Sequence, residues 1–121
     1  MKKEIESRLI ELTVGINEMT TKLKPGTLSN HLSDQIIRSS SSAALNYGEV
    51  QSAESRKDFI HKNSLVLKEL RETLIGLRIR HKSNSANDSQ ELSELMGECN
   101  HLTAIFQKTV STSKSNMPRK S

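Results

Sequence analysis

Apolar residues recur at Ile5, Leu9, Leu12, Ile16, Met19 and Leu23 in unbroken steps of four and three, the spacing of one face of a helix. Pro25-Gly26 ends that segment, because proline cannot donate a backbone hydrogen bond and glycine relaxes the chain into a turn. A second run, from about Ser29 to Val50, keeps helical spacing at Leu32, Ile36, Ile37, Ala43, Ala44 and Tyr47, but Ser39-Ser40-Ser41-Ser42 crosses it. Serine tracts commonly form linkers. Here apolar pairs flank the tract on both sides, and small side chains let packed helices approach closely, so we read helix through it.

A third helix is announced by Ser55-Arg56-Lys57-Asp58, an approximate capping box in which the serine oxygen accepts from the first turn's unpaired N–H groups. Ile60, Leu67, Leu70, Leu74 and Leu77 give it an apolar face up to about His81, and Ser83 to Asn87 has the composition of a loop. Asp88-Ser89-Gln90-Glu91 is a second capping box. It opens a fourth helix whose seam is Leu92, Leu95, Cys99, Leu102 and Phe106. Past Ser111 the chain turns rich in Ser, Lys and Pro, and fraying is expected.

Composition points the same way. Only 2% of residues are aromatic and 33% hydrophobic, too poor a supply for a β-sandwich or barrel, and two prolines among 121 residues leave few forced helix stops. Short connections make neighbouring helices antiparallel, so the expected fold is an all-α, up-down-up-down four-helix bundle over residues 1–112, with a basic tail over 113–121. A bundle this small hides only about 60–70% of its unfolded surface alone. Self-association is therefore physically reasonable.

Several chemistries are disfavoured. Cys99 is the single cysteine, which excludes an intrachain disulfide and suits a reducing compartment. His101 points about 200° away from it on a helix, and Cys99 sits on the apolar seam, so a buried inert thiol is expected. Glu98-Cys99-Asn100-His101 and Asp58-Phe59-Ile60-His61 have the spacing of carboxylate-bridged metal ligands, yet Asp58 and His61 lie roughly 150°, and His101 about 130°, from their seams and face outward. No metal or cofactor is expected. The glycines at 15, 26, 48, 76 and 97 form no phosphate-binding loop. Glu91, Glu94 and Glu98 share a helical flank of the solubilising kind. With no apolar window near membrane-spanning length, the expectation is a soluble cytoplasmic protein that is not an enzyme.

The charge pattern is more informative. The chain carries 18 Lys and Arg against 14 Asp and Glu, a net +4. Counting from Ala53 to Lys82 gives eight cations and four anions, so that segment alone equals the whole net charge. Lys57, His61, Lys68, Arg71, Arg78 and Lys82 fall on one heptad stripe of the third helix, away from its apolar seam, and Arg80 adds to the cluster. Lys22 and Lys24 at the end of the first helix extend it, as do Lys108, Lys114, Arg119 and Lys120. A row of cations is what phosphate recognition uses, since each contact releases a counterion. The competing reading is a solvated face tied by pairs such as Lys68 with Glu72. No aromatic residue interleaves the stripe, so base stacking has no support.

The stretch Gln35-Ile36-Ile37-Arg38-Ser39-Ser40-Ser41-Ser42-Ala43-Ala44-Leu45-Asn46-Tyr47-Gly48-Glu49, followed by Ser55-Arg56-Lys57-Asp58-Phe59-Ile60-His61-Lys62 and Leu67-Lys68-Glu69-Leu70-Arg71-Glu72-Thr73, resembles the four-helix bundle family of bacterial proteins encoded in 23S ribosomal RNA intervening sequences. The likeness extends over roughly residues 5 to 110. The sequence departs from the more apolar family pattern at Ser40 and Ala44-Leu45. The resemblance implies a homopentamer around a central channel. A structurally similar branch, the accessory protein of diversity-generating retroelements, implies RNA or DNA and a reverse transcriptase as partners. It also implies that Arg38, Asn46, Glu49 and Glu69 come together in a buried polar network that fixes helix register. The sequence thus leads to a homo-oligomeric bundle acting as a nucleic-acid or ribonucleoprotein accessory, with a purely structural or protein-interaction module as the alternative.

Overall fold

The computed structural model describes residues 2–22, 26–83 and 89–117. Four helices account for nearly all of them: α1 Lys2–Thr21, α2 Thr27–Val50, α3 Arg56–Ser83 and α4 Ser89–Ser115. The tetraserine tract lies wholly inside α2. The last helix runs to Ser115, past Ser111 where fraying is expected from sequence, so Lys114 belongs to the folded bundle and not to a tail. Leu23, Lys24, Asp88, Arg119 and Lys120 lie outside the described residues. No helix among the described residues is long and apolar enough to cross a membrane.

Cross-helix pairs set the directions. Ser29 meets Arg80 while Arg38 meets Glu72, so α2 and α3 run oppositely. Arg8 meets Glu98 while Lys22 meets Glu91, so α1 and α4 do too. Lys68 and Lys114 share one cleft and Ile79 and Met96 another, which makes α3 and α4 antiparallel. It follows that α1 and α3 point the same way. Helix contacts close in the order α1, α2, α3, α4 and back to α1.

The core is the set of seams read from the sequence, with additions. Leu9, Ile16, Met19, Ala43, Leu70, Leu77, Cys99 and Leu102 are all completely buried. Tyr47 and Phe106 meet edge to face at 5.4 Å, a preferred aromatic geometry. Val66 and Thr73 are equally buried, and Asn63 nearly so, so the inner face of α3 is broader than its leucine and isoleucine positions suggest. Asn63 satisfies its amide by donating to the Phe59 carbonyl at 2.9 Å, as a buried polar group must.

The α2–α3 seam explains the serines. Ser40 and Ser41 donate to the Ile36 and Ile37 carbonyls at 2.6 and 2.7 Å, back-bonds that keep each hydroxyl paired within a helix. Ser39 and Thr73 share a hydrogen bond of 2.6 Å across the seam, and Thr73 also donates to the Glu69 carbonyl at 2.8 Å. Small side chains let the two backbones come close, and Gly76 is the extreme case, since a Cβ there would run into the Ile36 Cγ2 methyl. At the start of α3, Ser55 Oγ accepts from the Asp58 amide at 3.0 Å and Asp58 Oδ2 accepts from the Glu54 amide at 3.1 Å. This is the anticipated capping box with its return bond displaced by one residue.

Gly76→Ala is expected to lower stability by about 1–2 kcal/mol, because overpacking against a branched, buried side chain outweighs the helix propensity gained. Gly97 has open space around its Cβ direction, so Gly97→Ala is expected to raise stability by up to about 1 kcal/mol. Urea unfolding of the two variants side by side checks the pair; equal midpoints would mean that the α2–α3 approach is looser than described.

Candidate nucleic-acid interface

Because Val66, Leu70 and Leu77 turn fully inward, a 3.6-residue period sends the opposite side of α3 to solvent. Lys57, His61, Lys68, Arg71, Arg78 and Lys82 are all exposed there. Arg80 does not belong with them. It is only 7% exposed and donates to Ser29 Oγ of α2 at 3.3 Å. At 100° per residue it lies roughly 140° around the helix from Lys57, on the shoulder of the core. Its cation serves the α2–α3 contact and leaves the candidate row. Lys22 is exposed at the end of α1 and pairs with Glu91 at 3.3 Å.

The anticipated Lys68–Glu72 pair does not form. Glu72 Oε2 instead accepts from Arg38 Nη2 of α2 at 2.7 Å. Lys57, Lys68, Arg78 and Lys82 enter no ion pair among the described residues. Lys68 and Arg71 open onto a cleft of about 590 Å³ between α3 and α4, where Lys114 faces them. Ser64, Ser111 and Gln107 add hydroxyl and amide groups to its walls, and Gln107 Oε1 accepts from Arg71 Nη2 at 3.2 Å. Glu72 is the one carboxylate lining it, and that carboxylate is held by Arg38. Leu67 and Val110 form the cleft's apolar floor, and the three cations from two helices around it can receive phosphate oxygens by charge and hydrogen bond.

A profile of the 23S rRNA-intervening sequence proteins matches residues 2–108. The chain belongs to the 23S rRNA-intervening sequence protein family. Its fold is similar to a crystal structure from Bacteroides thetaiotaomicron described as a protein with unknown function from the S23 ribosomal protein family. That likeness has a TM-score of 0.73 at 22% identity and covers 88% of this chain and 97% of the other. A search of curated proteins found no match.

In this member of the 23S rRNA-intervening sequence protein family, the expected buried network of Arg38, Asn46, Glu49 and Glu69 is not assembled. Glu49 is exposed and Asn46 half-buried at the edge of the inner face of α2, and neither reaches the others. Arg38, whose side chain is half exposed, lies 3.6 Å from Glu69 and 2.7 Å from Glu72. Burial pushes the Glu69 carboxyl above its ordinary range, and the neighbouring Glu72 charge adds to the shift. The Arg38 hydrogen bond holds Glu72 below that range. The buried polar link between α2 and α3 is instead Ser39 with Thr73, two uncharged hydroxyls.

On the other side of the bundle, the acidic flank of α4 is tied and not merely solvated. Arg8 grips Glu98 through Nε at 2.9 Å and Nη2 at 2.7 Å. Its Nη2 also meets His101 Nδ1 at 3.0 Å; a guanidinium can only donate, so the ring nitrogen accepts. No cluster of three or more metal-ligating side chains occurs among the described residues. Cys99 is fully buried, its thiol is directed at the Leu70 carbonyl, and burial pushes its pKa up to about 12. A nucleophilic thiolate is disfavoured there.

The hydrogen bond from Arg8 holds the Glu98 carboxyl below its ordinary range. A depressed carboxylate contributes stability above its unfolded pKa of about 4.3 and loses it as pH falls through the folded value. Glu98→Gln is therefore expected to cost up to about 1 kcal/mol at pH 7, with the gap from wild type closing below about pH 4. Urea titrations across that range measure it, and a gap that does not change with pH would contradict the assignment.

Proposed function

We propose that this protein is a non-enzymatic, homo-oligomeric, cytoplasmic bundle that binds RNA or DNA as a ribonucleoprotein accessory. The observation carrying this reading is the convergence of Lys68, Arg71 and Lys114 on one cleft, with Lys57 and His61 exposed on the same helix. The cations come from two helices, and the competing carboxylate is already occupied by Arg38. Contacts of this kind grip the sugar-phosphate backbone and do not read base edges. A pentamer and a reverse transcriptase partner rest on the family resemblance alone, and the alternative, a structural module without nucleic-acid affinity, is decided by the same experiment.

Fluorescence polarisation with labelled generic RNA and DNA is expected to give binding at about 50 mM salt that weakens about 100-fold by about 200 mM if four duplex phosphates are contacted. Reversing Lys57, Lys68 and Lys114 to Glu together is expected to abolish the low-salt signal while far-UV circular dichroism stays helical. Absence of low-salt binding in the wild type, or full binding in the triple variant, would overturn the reading.

A further inference from the structure

Seven large apolar side chains are exposed among the described residues, and four of them form two matched pairs: Ile10 with Val14 on α1 and Ile75 with Ile79 on α3. Each pair is spaced i, i+4, so each makes a short apolar ridge along its helix. Their surroundings have opposite sign. Glu11 and Glu18 are exposed beside the α1 ridge, and Arg71 and Arg78 beside the α3 ridge. The α3 ridge also walls an open cleft of about 480 Å³ with Met96, rimmed by Arg78, His81 and Lys82.

From this complementarity we propose that α1 of a second copy of this chain docks along α3, ridge against ridge, in a head-to-tail contact. One parallel register satisfies every element. Placing Ile10 beside Ile75 puts Val14 beside Ile79, and both pairs then occupy the inward d and a positions of a two-helix seam. In the same lettering Glu11 and Glu18 are e positions and Arg71 and Arg78 are g positions. In parallel helices e and g residues lie on the same flank and pair across the seam. An antiparallel arrangement would put the carboxylates and guanidiniums on opposite flanks. Asn17 falls beside Lys82 and Ser7 beside Glu72, with no like charges opposed. The next position brings Lys3 to Lys68, two cations, which ends the contact there and leaves Lys68 and Lys114 facing solvent.

The bundle's own topology agrees. Since α1 and α3 run the same way, a parallel α1–α3 contact between copies leaves their bundle axes pointing alike. That is the relation a cyclic assembly with its symmetry axis along the helices requires. The contact uses two different patches, so it is heterologous: every copy added leaves one of each ridge unfilled until a ring closes. The proposal deepens the homo-oligomeric part of the proposed function by naming the faces that meet.

Light scattering with size-exclusion chromatography on the full chain tests it. Wild type is expected above two subunits in mass, and Ile10→Asp or Ile79→Asp, both at exposed positions, is expected to fall to the 13.6 kDa monomer with its helicity intact. Glu11→Arg with Glu18→Arg, and separately Arg71→Glu with Arg78→Glu, are each expected to dissociate the assembly, and all four changes in one chain to restore it. Monomeric wild type, a mass that saturates at two copies, unchanged assembly in both Asp variants, or no recovery in the fourfold variant would each overturn the proposal. RNA binding measured on the same wild-type sample separates the two readings: an assembled protein that binds no RNA defeats only the nucleic-acid reading, and a monomer that binds RNA defeats only this one.

Discussion

The close approach of α2 and α3 is the constraint on which the remaining architecture turns. Ser39, Ser40, Thr73 and Gly76 leave room for no bulky side chain between the two helices, and Ile36 fills the space over Gly76. The hydroxyls do not cost the seam its dryness, because each is paired with a main-chain carbonyl or with the other helix. Once that contact is made, the rotation of α3 about its own axis has no freedom left. Val66, Leu70 and Leu77 must point inward, and Lys57, Lys68, Arg71 and Arg78 must point out.

The same constraint decides where charge of each sign resides. Arg38 is exposed at the edge of the α2–α3 contact and takes both Glu69 and Glu72 into its field. The acidic groups nearest the cationic row are thereby removed from competition for it. At the α1–α4 contact, the Leu95 side chain packs against the bare backbone of Gly15, and Arg8 and Lys22 are spent on Glu98 and Glu91. What remains on the outer surface of α1 is acidic, with Glu6, Glu11 and Glu18 exposed. A chain with a modest net charge therefore presents two faces of opposite sign, which total charge alone does not express.

How legible this was in the sequence depends on the kind of signal. The α1 seam could be read without error as far as Met19, because a strict three-four pattern of large aliphatic residues has one interpretation. The serine tract was also readable as helix, since apolar residues continue in register on both sides. Val66, Asn63 and Thr73 escaped because polar or β-branched residues on a broad inner face do not stand out from a leucine count. Arg80 was misplaced by proximity in sequence to Arg78 and Lys82, although its angle around the helix already separated it from them. The partner of Glu72 could not be chosen from local spacing, because Lys68 at i−4 and Arg38 on another helix compete, and a direct guanidinium hydrogen bond across a tight seam wins. Polar residues conspicuous in a family pattern, such as Asn46 and Glu49, carry no mark that distinguishes a network inside one chain from a more exposed face.

Segregated charge also bears on how the two proposed activities coexist. Arg71 borders both the cleft with Lys114 and the apolar ridge of Ile75, so α3 changes character at about its midpoint. Its first half carries cations around a cleft whose walls mix Ser64, Ser111 and Gln107 with Leu67 and Val110, and its second half carries isoleucines between cations. A polyanion gains nothing from the isoleucines, while an acidic amphipathic helix gains from both. If the second half is covered by a neighbouring copy, the first half of α3 is repeated at equal intervals around a ring. Each site then acts on the same polyanion at high effective concentration, so weak backbone contacts combine into firm binding without any base being recognised. Monomer affinity for a short oligonucleotide would be low on this arrangement, and length of nucleic acid, more than its sequence, would set the strength of the complex.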